Sequence, residues 1–129
     1  MSTRKFSVEE VIEILEKSDK AQCNGEFHVK WYDAHGYVRE EFCSFGVVLE
    51  ELRKQDPERY YWNSSGFLYD METDEAVTTW GVLTPEAHSL GISTMMMNWN
   101  DGDEYTFIGI ARKLRELLAG EEARRNDRI

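Results

Sequence analysis

MMMNWNDGDEYTFIGIARKLRELL, residues Met95–Leu118, joins a polar turn to the strongest amphipathic pattern in the chain. Phe107, Ile110, Ala111, Leu114, Leu117 and Leu118 recur at helical spacing, so a helix opened by Thr106 must bury one face. Gly120 reads as the residue that ends it. Asn100-Asp101-Gly102 reads as a turn, because Asn and Asp side chains bond neighbouring backbone groups. With Gly102 at the sixth position of a calcium loop, the first and third positions become Met97 and Trp99, which cannot ligate. Ser93–Asn98 is too short for periodicity to separate a strand from an irregular buried segment.

Working back from this stretch, Thr84-Pro85-Glu86 opens a short helix with a capping hydroxyl, a proline and an acid, and Gly91 closes it. Residues 67–80 read as a hairpin of Phe67–Tyr69 and Ala76–Trp80 about the turn Met71–Glu75. Cys43 to Lys54 carries a second amphipathic helix starting near Ser44. Gly46 in its first turn predicts a close backbone approach, and Pro57 stops the helix. Residues 26–42 form the clearest hairpin, with Phe27, Val29 and Trp31 expected on its buried face. Ser7 and Glu10 form a capping box for a helix through Lys17, after a frayed 1–6. The expected fold is α+β: one antiparallel sheet of two hairpins, with Ser93–Asn98 as an optional fifth strand, packed by helices 8–17, 45–54 and 107–119. Residues 1–120 make one domain and 121–129 a charged tail.

The apolar runs are shorter than the roughly 20 residues of a membrane span, and the start lacks a secretory h-region, so a cytoplasmic protein is expected. Cys23 and Cys43 then read as buried, reduced thiols. Their spacing with His28 and His35 fits no closed zinc pattern, and neither metal nor cofactor is expected. No nucleophile elbow, phosphate loop or H-E-x-x-H is present, which points away from an enzyme.

Net charge is −10, and no Lys or Arg falls between Arg59 and Arg112. Eight acids do, among them Asp70, Asp74, Asp101 and Asp103. Such a field repels nucleic acid and suits a basic protein surface. Arg59, Tyr61, Trp62 and Arg112 offer a second chemistry, aromatic stacking with charge, for a nucleotide-like molecule. An exposed aromatic hairpin edge also leaves a homodimer open.

Cys43-x-x-Gly46-Val47-x-Leu49 with Glu51, then Tyr69-Asp70, Leu83-x-Pro85-x4-Leu90-Gly91-Ile92 and Asn100-Asp101-Gly102-x3-Thr106-Phe107-x2-Ile110-Ala111 occur in this order. Over about residues 40–118 the chain resembles a family of small phage and prophage proteins without an assigned activity, marked by C-x-G-V-L, L-P and L-N-D…F-x-x-I-A motifs. The resemblance implies a phage accessory protein in the host cytoplasm. The leading expectation is therefore a non-enzymatic protein that binds and inhibits a host protein through its acidic surface. The alternatives are a sponge for a nucleotide-like signal, serving anti-defence, and a small enzyme using carboxylates.

Overall fold

We describe residues 4–101 and 106–127 of a computed structural model, with side chains through Arg124. The first helix, α1 (Val8–Lys17), begins as its capping box dictates: Ser7 Oγ accepts the Glu10 N–H and the Glu10 carboxylate accepts the Ser7 N–H, both at 3.1 Å. Its stripe of Val8, Val11, Ile12 and Leu15 is buried. The last helix, α5 (Phe107–Asp127), packs against it and buries Phe107, Ile110, Ala111 and Leu114. Thr106 Oγ1 accepts the Gly109 N–H at 3.1 Å, the expected cap. The helix does not stop at Gly120. That residue keeps a negative φ, and the turn that follows carries an Arg124–Glu121 ion pair at 2.9 Å.

The centre of the core is α2 (Ser44–Gln55), whose residues 44–50 are all buried. Its close approach is severe: a Cβ on Gly46 would lie 1.8 Å from the Phe27 carbonyl oxygen. Only glycine fits that contact. The N-cap is Cys43, one residue ahead of the expected start, with Sγ accepting the Gly46 N–H at 3.3 Å.

The β structure differs from the single antiparallel sheet expected. Two separate three-stranded sheets form among the described residues. In the first, β2 (His28–Tyr32) and β3 (Val38–Phe42) make the hairpin, and β1 (Ala21–Gln22) adds parallel to β3. A two-residue strand has no readable period, so no sequence pattern marks β1. The second sheet is a meander of β4 (Tyr60–Trp62), β5 (Leu68–Asp70) and β6 (Glu75–Ala76). Its last strand ends at Ala76, short of the expected Ala76–Trp80, and Trp80 instead begins a 3₁₀ turn through Val82.

The hairpin does not bury the face of Phe27, Val29 and Trp31 as expected: only its His28–Phe42 end is buried, and Lys30, Trp31 and Tyr32 are all exposed. His28 pairs with Phe42 across the ladder, and both are buried, whereas Trp31 is exposed. Side chains alternate with period two, so burying Phe42 beside α2 forces His28 inward and turns Trp31 out.

The ambiguous methionine run is helical, as α4 (Ile92–Asp101), not a fifth strand. Gly91 at φ +70° ends the short α3 (Pro85–Ser89) and re-aims the chain. Ile92, Met96 and Asn100 then fall on one buried stripe at four-residue spacing. Phe6, expected in a frayed segment, is buried instead: its N–H donates to the Val82 carbonyl at 2.7 Å and its carbonyl accepts the Thr84 N–H at 3.0 Å. No described helix is long and apolar enough to cross a membrane.

Candidate binding surface

The second sheet has an inner and an outer face, and the sequence candidates divide between them. Arg59 and Asp70 are buried and pair with each other, Nε to Oδ1 at 3.0 Å and Nη2 to Oδ2 at 2.9 Å. Glu72 adds a contact to Arg59 Nε at 3.0 Å. The guanidinium holds the Asp70 carboxyl below the usual carboxylate range, and the paired acid raises Arg59 further above its ordinary value. Asp70 also accepts the Glu72 N–H at 2.9 Å, which shapes the turn after β5. Both residues hold the fold on the inner side.

The outer face carries Tyr61 and Tyr69, register partners with ring centroids 5.3 Å apart. The Tyr69 hydroxyl donates to Asp74, which pushes the phenol up to about 12. Asp74 itself sits at φ +60°, a conformation aspartate tolerates better than most residues. Tyr61 at 42% exposure, Met71, Glu72, Asp74 and Glu75 open this face and its turn to solvent. The sheet from Tyr60 to Ala76 contains no cation, and the adjoining Arg59 is turned inward.

Trp62 belongs to a different place. It stacks on His28 with centroids 4.6 Å apart, and its indole N–H donates to Glu50 at 3.3 Å. His28 Nε2 lies 2.8 Å from a Glu40 carboxylate oxygen, and Glu50 is ion-paired with Arg53. These residues line a groove of about 800 Å³ between β2 and β4. Tyr61 and Lys30 line it as well, so the groove and the acidic face share Tyr61.

The other candidates lie elsewhere. Asp101 is exposed, and its Oδ1 accepts the Gly25 N–H at 2.8 Å. Arg112 is exposed on α5, whose main neighbours are α1 and α4. Asp103 lies outside the described residues. The set Arg59, Tyr61, Trp62 and Arg112 therefore does not assemble into one ring-and-phosphate site.

Asn100, expected as a turn residue, is a fully buried hub. Its Oδ1 accepts from Gln22 Nε2 at 2.7 Å and from the Ser44 N–H at 3.0 Å. Its Nδ2 donates to the Cys23 carbonyl at 2.6 Å and to Asn24 Oδ1 at 3.3 Å. It joins β1, the start of α2 and the end of α4.

His28 has the composition of a surface strand residue and yet is buried. A signal for its burial does exist, because a hairpin closed by Asp33–Tyr37 places it opposite apolar Phe42. Nothing local marks Glu50, a carboxylate on a helix. Burial favours the neutral thiol at both cysteines, pushing Cys23 up to about 12 and raising Cys43 as well. Among the described residues, no three of His, Cys, Asp and Glu form a group that could hold a metal ion.

Comparison with protein families, curated proteins and solved structures finds no match to this chain.

Proposed function

We propose that this chain is a non-enzymatic binding protein that engages a lysine- and arginine-rich partner surface through the outer face of the β4–β5–β6 sheet. The observation that carries the reading is the pairing of Tyr61 and Tyr69 beside Asp74, with the exposed Glu75 starting the neighbouring edge strand, on a sheet whose adjoining cation is buried. Tyrosine faces attract guanidinium and ammonium groups, and nearby carboxylates add charge complementarity. The protein's charge of −10 favours rapid encounter with a basic partner. In a phage setting, which the sequence resemblance implies, that partner is a host protein.

Asp70 is excluded from this surface, because its carboxylate is committed to Arg59. The test is carbodiimide crosslinking in host lysate, which couples exposed carboxylates to partner lysines, comparing wild type with Asp74→Asn/Glu75→Gln and with Tyr61→Ala. At least one crosslinked partner should disappear in both variants and weaken with added salt. Retention of every partner by both variants would overturn the reading.

A further inference from the structure

We infer that the groove between β2 and β4 takes an extended basic segment of the partner as an added strand on the outer edge of β2. This rests on the reading of the protein as a binder of a basic partner and adds how that partner is held.

The backbone of β2 has one edge to spare. The Asp33 N–H donates to the Tyr37 carbonyl at 2.9 Å and the Cys43 N–H to the Phe27 carbonyl at 3.3 Å. Antiparallel ladders alternate bonded and non-bonded pairs, so Val29 with Glu41 and Trp31 with Arg39 are the bonded pairs between those two. His28, Lys30 and Tyr32 consequently aim their N–H and C=O groups away from β3. No described strand lies on that side of β2.

The His28 end of this edge is covered, since a Cβ on Gly66 would lie 2.9 Å from the His28 carbonyl oxygen. Lys30 and Tyr32 are exposed beyond it and line the groove. The groove's volume, about 800 Å³, lies within the size range of ligand-binding clefts. Strand addition supplies main-chain hydrogen bonds on such an edge, while the flanking side chains choose the sequence.

Charge selects the occupant. Within the groove Glu50 is paired with Arg53 and Glu40 is hydrogen-bonded to His28, and the carboxylates Glu26, Glu40 and Glu50 outnumber the cations Lys30 and Arg53. An incoming Lys or Arg therefore meets a net acidic wall, with Tyr32 and Tyr61 to receive its alkyl stem. A second copy of this chain is disfavoured as occupant, because antiparallel pairing of two β2 edges centred on Lys30 sets like charges opposite each other.

The experiment pans a displayed random-heptapeptide library on the full protein and synthesises the recovered peptides. They should be rich in Lys or Arg alternating with β-branched residues. At saturation they should slow hydrogen exchange of the Lys30 and Tyr32 amides at least tenfold, with the Val29 and Trp31 amides little changed. N-methylation of the peptide amides that face β2 should weaken binding at least tenfold, and of the alternate amides much less. Lys30→Pro removes one outward donor and leaves the β2–β3 ladder intact, and it should also cost at least tenfold.

Peptides that bind without protecting Lys30 and Tyr32, or that tolerate N-methylation on both sets of amides, overturn strand addition. Recovery of no peptide at all overturns it too. In each case loss of crosslinked partners in Asp74→Asn/Glu75→Gln would still stand for the acidic face. Retention of all partners there removes the underlying reading instead.

Discussion

Replacing Asn100 with alanine tests whether the polar hub, and not the apolar stripe alone, fixes α4 against the sheet. The substitution removes four hydrogen bonds. Gln22 is half-buried and Asn24 exposed, so water can replace what their side chains lose. The Ser44 N–H is different, because it is buried and little water reaches it, whereas the Cys23 carbonyl is half-buried. A buried backbone group left unsatisfied costs about 1–3 kcal/mol and the half-buried carbonyl adds about 1 kcal/mol, so about 3 kcal/mol is the central expectation. A domain of this size is stable by about 5–15 kcal/mol, so the loss is a large fraction of the whole.

Urea denaturation followed by tryptophan fluorescence should show the midpoint falling by roughly 1.5 M, for a slope near 2 kcal/mol/M. Asn100→Asp gives a control with a distinct signature. It keeps the acceptor for the Ser44 N–H, at the start of α2 where negative charge is favourable, but it sets a carboxylate against the Cys23 carbonyl. Measured against wild type at each pH, its deficit should shrink as acid protonates the new carboxyl and restores a donor. A loss under 1 kcal/mol for Asn100→Ala would refute the hub argument, as would a pH-independent deficit in Asn100→Asp.

Three further substitutions probe other elements. Gly46→Ala should cost about 3 kcal/mol or more, since its Cβ meets the Phe27 backbone rather than a movable side chain, and a melting curve within 2 °C of wild type would contradict the contact. Gly120→Ala should stabilise by about 1 kcal/mol if the helix runs through residue 120, whereas a left-handed stop there would make alanine destabilising; the sign of the change in urea midpoint decides. Asp70→Asn leaves Arg59 with only the half-exposed Glu72 and should cost about 2–4 kcal/mol at neutral pH. The folded Asp70 carboxyl lies below its unfolded value, so this contribution is present above the unfolded pKa of about 4 and disappears as pH falls through the folded one. Paired denaturation curves should therefore converge in acid, and a gap unchanged from pH 7 to pH 2 would remove Asp70 as its source.

Local rules are sufficient wherever a residue's partners lie within one turn of it. The capping box at Ser7 and the hydroxyl caps at Thr84 and Thr106 form as their spacing requires, because each donor and acceptor sits three residues apart. The packing stripes of α1 and α5 follow from a period of 3.6, and the tight contact at Gly46 follows from the one side chain that can be absent. The α+β composition and the lack of a cation from Tyr60 to Ala111 are equally legible.

What the chain alone leaves open depends on partners distant in sequence. Arg59 and Asp70 look like a binding cation and a surface acid until β4 and β5 bring them together and bury both. His28 looks like an exposed strand residue until Phe42 and Trp62 enclose it. Met95–Met97 settle as helix because Ile92 and Asn100 have buried surfaces to meet, which short-range periodicity cannot register. Asn100 shows the division most plainly: its residue type permits a turn or a buried hub, and the hydrogen-bond demands of Ser44 and Cys23, more than fifty positions away, select the hub. Desolvated backbone groups must find partners somewhere, and only the assembled structure says where.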